Sequence, residues 1–405
     1  MAGSLSDPQV ADLLERETRR RDSTLQLLAG ETPASPAVRA ALTSDLGAKY
    51  AEGYPGARYH GGCSVADEVE NLAIERAAAL FGADYVNVQP LSGSIAGLSV
   101  YAAFAQPGDP ILALGLRYGG HQTHGSRANF SGRWFAPIHY GVRRSDERID
   151  YTELRDLALL HRPRIIVAGA SSHSRSFDFA LLRTIADEAE AILWVDAAHL
   201  AGLVAGGVVD SPLPHADVVT LSTHKVLQGP RGGMILARDE HRAVLQKAVH
   251  PFVQGGPSMN SIAAKAVCLR ESGGEGFAQY AAATVTSAQR LGEALTAAGL
   301  RVVSGGTDLH LAVVDVSERG LTGIEAQRRL ASAGIVVDRA VLPFDSRPVT
   351  EGSAIRFGTP CAVLAGLGPD AMGDVADWMT RALAVDVGAT QHADIRHEIQ
   401  LRLGG

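Results

Sequence analysis

The alternation between Tyr85 and Asp239 constrains this chain most. Seven short apolar runs (YVNVQP, PILALGL, WFAPIHY, RIIVAGA, AILWVDAAH, DVVTLSTHK and GGMILARD) are mostly separated there by helical or loop stretches. Short continuous apolar runs bounded by turn signals read as strands buried on both faces, and strands that take turns with helices build a parallel sheet covered on each side. The expectation is an α/β fold with a large domain on a seven-stranded, mostly parallel sheet. After Pro257 the pattern changes. A helical stretch, SMNSIAAKAVCLRES, leads to a helix over 280–298, runs LRVVS and HLAVVDV, a helix over 323–334, runs IVVDRAV and AIRFGTP, and a helix over 370–385. That is a small α+β unit. The expected division is an N-terminal arm (1–36), a large domain (37–270), a small C-terminal domain (271–385) and a polar tail (386–405). Helices are expected over 8–21, 37–49 and 67–81.

Several function classes fall away on composition. Lys and Arg total 37 against 44 Asp and Glu, a net charge of −7, and no long basic run exists, so no nucleic-acid partner is expected. Cys63, Cys268 and Cys361 are far apart and form no CxxC pair, so neither a metal site nor a disulfide framework is expected. The start, MAGSLSDPQVADLLERETRRRD, has no apolar core of a secretory signal, and no window of about 18 apolar residues occurs. A cytoplasmic protein with no membrane partner is the expectation.

Three motifs carry chemistry. In TLSTHKVLQGPRGG (220–233) an apolar run ends among hydroxyls at Lys225, a lysine placed to form a Schiff base with a carbonyl cofactor. A plain surface lysine is the bland alternative. In WVDAAH (194–199) Asp196 closes an apolar run, where α/β sheets bind ligands, and could keep a pyridine nitrogen protonated. A helix N-cap is the competing reading. In LSGSIAG (91–97) Ser92, Gly93 and Ser94 open a helix and can cradle a phosphate; serine is also the preferred N-cap. A phosphate cradle, a ring-nitrogen acid and a Schiff-base lysine, in that order, are the arrangement of pyridoxal-phosphate enzymes with the aspartate-aminotransferase-like fold, fold type I. A long glycine-rich loop, KYAEGYPGARYHGGCS (49–64), is too punctuated for a core strand and reads as functional.

The chain resembles the serine hydroxymethyltransferase family over nearly its whole length. YAEGYPGARYHGGC is similar to that family's YAEGYPGKRYYGGC, and GGHQTHGSRANFSG (119–132) to its GGHLTHGSxVNFSG. STHKVLQGPRGG, QGGPSMNSIAAKAV, VSGGTDLHL, GLTGIEA and IRFGTP also match. The resemblance implies roles. Lys225 would carry pyridoxal 5'-phosphate covalently, Asp196 would pair with its ring nitrogen, and His121 would stack on the ring. Ser92, Gly93 and Ser94 would hold the phosphate, joined by Gly255 and Gly256 from a neighbouring subunit. Ser171, His199 and Ser222 complete the cofactor set, and His224 would tune the site. Arg356 would clamp the substrate carboxylate, with Tyr59 and His173 near the substrate. Glu52 would be the acid–base group at the substrate hydroxyl, with Tyr50 and Tyr59 beside it; His60, which the family does not share, is either an ordinary loop histidine or a group for proton transfer beside the substrate Cα. A homodimer with shared active sites follows from the resemblance, with a tetramer as the alternative.

Six departures fall on the substrate and folate side. The family's YY pair reads Tyr59-His60, SEN reads Gly30-Glu31-Thr32, and the leucine between the paired histidines is Gln122. VNKN reads Val337-Asp338-Arg339-Ala340, the arginine after GTP in many members is replaced by the apolar Val363-Leu364-Ala365, and SAYS reads Ser172-His173-Ser174. Alanine at 340 cannot hydrogen-bond a pteridine. His121 and His124 could suggest a metal by spacing, but no acid stands near them in sequence and the family motif explains them. On the departures, the leading expectation is action at Cα through a quinonoid without folate: aldol or retro-aldol chemistry on L-threonine or another β-hydroxy amino acid. Folate-dependent serine–glycine interconversion and an O₂-using monooxygenase or decarboxylase are the alternatives, with a non-catalytic binder of the cofactor behind them.

Overall fold

The seven apolar runs form one sheet. The computed structural model describes residues 6–404, so Met1–Leu5 of the expected arm and Gly405 of the expected tail lie outside the described residues. The strands are β1 (Tyr85–Asn87), β2 (Pro110–Leu114), β3 (Ala136–Tyr140), β4 (Ile165–Ala168), β5 (Ile192–Asp196), β6 (Val218–Ser222) and β7 (Gly233–Ala237). Their order across the sheet is β1-β7-β6-β5-β4-β2-β3. Strand β7 is antiparallel to β6 and β1, and every other pairing is parallel. This is the α/β architecture expected for fold type I.

Alternate residues of one strand feed two separate cores, as a pleat with period two requires. Leu112, Leu114, Ile166, Ala168, Leu193 and Val195 pack on one face. Ile111, Ala113, Ile165, Val167 and Trp194 pack on the other. Each fully buried aliphatic side chain of this kind contributes about 1.5–3 kcal/mol, which explains why the runs show no polar alternation.

A further core surrounds the helix Glu275–Ala297 and a three-stranded antiparallel sheet of β8 (Leu311–Asp315), β9 (Asp338–Ala340) and β10 (Ala354–Gly358), ordered β8-β10-β9. Here the local reading needs correction. LRVVS is not a strand: Val302 makes a single bridge to Val314, and the chain then turns through Val303–Gly305 with Ser304 at φ 56°. IVVDRAV is divided, because Ile335–Val336 pairs in parallel with Leu25–Gln26 and only Asp338–Ala340 joins the small sheet. The helix expected over 37–49 stops at Leu42, and a short turn covers Asp45–Ala48. The polar tail holds a helix, Ala389–Leu403, whose Ile395 and Ile399 are fully buried one turn apart. Among the described residues no helix is long and apolar enough to cross a membrane.

Candidate active site

Strand ends assemble the site. Asp196 closes β5, Ser222 closes β6 three positions before Lys225, and the segments after β2 and β4 bring in His121, His124 and Ser171. Ligands of open α/β sheets bind at this carboxyl edge. Asp196 accepts from the Ala198 amide at 3.1 Å, and its other oxygen lies 3.0 Å from His124 Nε2. An acid therefore does stand beside His124, contrary to the reading along the sequence; folding brings it from 72 positions away. Burial works to raise the Asp196 carboxyl, but the His124 bond and the nearby His121 and Lys225 charges outweigh it and hold the group below its usual value. His124 is buried, edge-on to Trp194 with ring centroids 5.7 Å apart.

His121 is held by Thr123, whose hydroxyl lies 2.7 Å from Nδ1. Burial, and then the charge of His124, push the His121 ring down to about 4, so it stays neutral at pH 7. Lys225 has no hydrogen-bond partner for Nζ among the described residues. Burial drives its ammonium down to about 8 against the pull of Asp196, helped by the Arg356 and Arg231 charges. His224 is pushed down to about 4, by burial first and then by Arg231, and its Nδ1 is buried without a partner among the described residues.

The cradle is built as a phosphate site needs. Ser92 caps the helix Gly93–Phe104 by accepting from the Ile95 amide at 3.1 Å, leaving the first-turn amides of Gly93 and Ser94 outside that bond. A Cβ on Gly93 would stand 2.4 Å from Ser222 Oγ, so only glycine lets the helix start close against β6. An unpartnered lysine, an ionised buried acid and a helix start with spare amides fit pyridoxal phosphate.

Arg356, in the middle strand β10, reaches Ser171 and Asp338. Nη1 donates to the Ser171 carbonyl, and Nε (3.1 Å) and Nη2 donate to one Asp338 oxygen. Ser171 Oγ donates to the Gly120 carbonyl at 3.0 Å. His199 is buried and stacks on His310 with centroids 5.4 Å apart and nitrogens 3.3 Å apart. Burial, then the charge of Lys225, pushes His199 well below its usual value. His310 lies 3.2 Å from the Ala29 carbonyl, and burial takes it down to about 3. His173 is buried edge-on to Phe177 at 5.8 Å and is pushed to about 4, by burial first.

The remaining candidates form a second cluster. Glu52 lies 3.2 Å from His60 Nε2, and Tyr50 meets the His60 ring edge-on at 5.0 Å. A Cβ on Gly255 would be 3.5 Å from Glu52 Oε1, and one on Gly256 3.2 Å from Glu52 Cγ, so both glycines pack on this loop within one chain. Tyr59 is 76% exposed and Tyr50 63%. No hydrogen bond joins this cluster to Lys225 or Asp196 among the described residues.

Sequence reasoning did not single out four positions that organise these parts. Arg58 bolts the loop down by donating to Glu70 (2.6 Å), Asp67 (2.8 Å) and the Ala51 and Gly53 carbonyls. Gln89 bonds the same Glu70 at 2.7 Å. Lys265 is fully buried behind the cradle, and His310 supports His199. A positively charged residue inside an otherwise apolar run, Lys265 in IAAKAVCL, is the one signal that was available.

A family model described as serine hydroxymethyltransferase matches residues 4–379. Curated relatives carry the same name. That of Coprothermobacter proteolyticus is 52% identical over 361 residues, covering 89% of this chain and 87% of its own length. That of Koribacter versatilis is 49% identical, with 93% and 88% covered. That of Acidobacterium capsulatum is 48% identical, also with 93% and 88% covered.

Proposed function

Because this chain belongs to the serine hydroxymethyltransferase family, whose members are pyridoxal-phosphate-dependent transferases, we propose that it interconverts serine and glycine with tetrahydrofolate as the one-carbon carrier. One observation carries the reading: identity near one half extends over about nine-tenths of the chain to relatives named for that reaction. The six departures on the substrate side had favoured a folate-independent aldolase; against identity of that extent they weigh less.

Lys225 would hold the cofactor covalently, and the bound group would supply an electron sink that lets a bond at the amino-acid Cα break. Each of this chain's residues has a task around it. Ser92, Gly93 and Ser94 would bind the phosphate through the helix start and the serine hydroxyls, with Ser222 closing one side. Asp196, kept ionised and oriented by His124, would hold a proton on the ring nitrogen. His121, neutral at pH 7, would cover the ring without adding charge. Lys225, with its ammonium near 8, has a usable neutral fraction at physiological pH for attack on a carbonyl and for proton transfer. Arg356 would take the substrate carboxylate. Ser171 and His199 would line the cofactor, and His224 and His173 stand behind these groups.

Glu52 and His60, 3.2 Å apart, would move the proton of the substrate hydroxyl, with Tyr50 and Tyr59 excluding water. Their exposure in a single chain, together with Gly255 and Gly256 packed on them, supports a homodimer in which this cluster completes the site of a second copy.

The test is L-serine cleavage by holoenzyme with and without tetrahydrofolate, reading glycine and methylene-tetrahydrofolate. Glycine formation that needs folate is expected; equal rates without it would overturn the reading. One observation favours the folate-independent alternative, the plain methyl of Ala340 at a folate-facing position of the family motif. L-threonine cleavage that outpaces folate-dependent serine cleavage would select it.

A further inference from the structure

Arg356 is not a free cation awaiting a carboxylate. It lies directly across the β9–β10 ladder from Asp338, and two of its three nitrogens donate to that acid. The third donates to the Ser171 carbonyl. Asp338 is one-third exposed and lines the same cavity as Arg356, Gly30, Glu31 and His224, the sequence neighbour of Lys225. The family motif carries a neutral asparagine here, whereas this chain carries an acid.

We propose that Asp338 is a specificity-determining residue, a resident carboxylate that occupies the side edge of Arg356 and weakens its hold on the substrate carboxylate. The inference rests on Arg356 being the clamp, as proposed above. A guanidinium offers two edges for bidentate carboxylate pairing. Asp338 takes the edge made by Nε and Nη2, so an incoming carboxylate meets the edge made by Nη1 and Nη2, where it must share Nη1 with the Ser171 carbonyl, and sits within a few ångströms of a like charge. Like charges at that range in a half-buried site oppose each other appreciably. An isosteric asparagine would keep an oxygen for Nε and Nη2 and remove the repulsion. Asp338 thus acts as both orienter and competitor, and selects for ligands that bring further binding energy besides their carboxylate.

The experiment uses holoenzyme and two ligands of similar size, one ending in a carboxylate and one in a neutral amide. Glycine and glycinamide are titrated against the absorbance of the bound cofactor in the parent protein, Asp338→Asn, Asp338→Ser and Arg356→Gln. The expected result for Asp338→Asn is glycine binding about tenfold tighter, with glycinamide changed less than twofold. Asp338→Ser should tighten glycine less, because the orienting oxygen is shortened, and should lower kcat more than KM. A structural role alone would move glycine and glycinamide together. Glycine binding unchanged or weakened in Asp338→Asn, while Arg356→Gln abolishes the preference for glycine over glycinamide, would overturn the role of Asp338. If Arg356→Gln keeps that preference, Arg356 is not the clamp and the underlying reading fails instead.

Discussion

Replacing Lys265 by Met tests how the cradle is held. Nζ donates to three backbone carbonyls, Val88 (2.5 Å), Gly233 (2.8 Å) and Pro90 (3.1 Å), all on the chain that enters the helix start or begins β7. The Pro90 carbonyl also accepts from the Gly233 amide at 3.0 Å, so a methionine withdraws the ammonium from all three carbonyls but leaves only two of them, Val88 and Gly233, as the uncompensated loss counted next. A charge-assisted bond contributes about 1.5–3 kcal/mol, so the loss is roughly 3–6 kcal/mol. Against this, burial pushes the Lys265 ammonium from 10.5 down to about 7, which corresponds to roughly 5 kcal/mol against the charged form. Below pH 7 the lysine is charged in both the folded and unfolded chain and the whole burial cost applies. The two terms then nearly cancel, and Lys265→Met should lie within about 2 kcal/mol of the parent.

The sign changes with pH. Between about 7 and 10.5 the unfolded chain binds a proton at this lysine that the folded chain sheds, so the parent gains stability at about 1.4 kcal/mol per pH unit while the methionine variant does not. Urea unfolding of both holoproteins at pH 6 and pH 8.5 reads this directly. Every titrating group other than Lys265 is common to both proteins and drops out of the difference. The parent's advantage should widen by roughly 2 kcal/mol at the higher pH. An equal gap at both pH values would refute the reasoning, because the three carbonyls would then hold the proton through the whole range.

Other outcomes follow from the same geometry. Lys225→Ala should lose the cofactor on gel filtration, and a protein peak that keeps the parent's visible spectrum would contradict the covalent site. In Asp196→Asn the carboxylate that sustains the Lys225 charge is gone, so the pH midpoint for cofactor capture by apoprotein, near 8 in the parent, should fall; an unchanged midpoint would dismiss that coupling. Arg58→Met strands Glu70 in the core beside Gln89, and a loss of about 3–5 kcal/mol in urea is expected; a change under 1 kcal/mol would show the loop is held otherwise. Burial pushes the thiols of Cys268 and Cys361 up to about 12, so both should resist thiol reagents until the protein unfolds, and fast labelling of either native residue would count against their placement.

What the sequence disclosed follows the range of the interactions. The large sheet was legible because strands such as Ile165–Ala168 are buried on every residue and carry the signal locally. Lys225 and Asp196 were legible because each closes an apolar run. The bond between Asp196 and His124 was not, since nothing near His124 marks an acid 72 positions away. Ile335–Val336 was assigned to the small sheet because its partner, Leu25–Gln26, lies in an arm with no strand signal of its own. The C-terminal helix was hidden for the opposite reason: two buried isoleucines in a polar stretch make too narrow a stripe to read.

That arm also explains why two of the departures from the family pattern, at Gly30 and at Asp338 to Ala340, lie together. The Leu25 amide donates to the Gly334 carbonyl, the Leu27 amide to Val336, and the Gly358 amide back to Leu27. Residues 25–27 are therefore sewn to the strand that leads into Asp338 and Ala340 and to the end of the strand that carries Arg356. Gly30, where a Cβ would lie 3.8 Å from Lys225 Cε, closes this unit against the lysine. The cradle and Asp196 belong to the carboxyl edge of the large sheet, with its own two cores. A substitution at 338 or 340 thus changes the unit that contacts the substrate carboxylate and the carbon acceptor in the proposed reading, and leaves the cofactor's anchors in place. Changes in what the enzyme accepts can accumulate there with little effect on cofactor retention, so Asp338→Asn should alter amino-acid affinity while the parent's cofactor affinity is kept within about twofold. A matching loss of cofactor would show that the two sides are coupled through Lys225 after all.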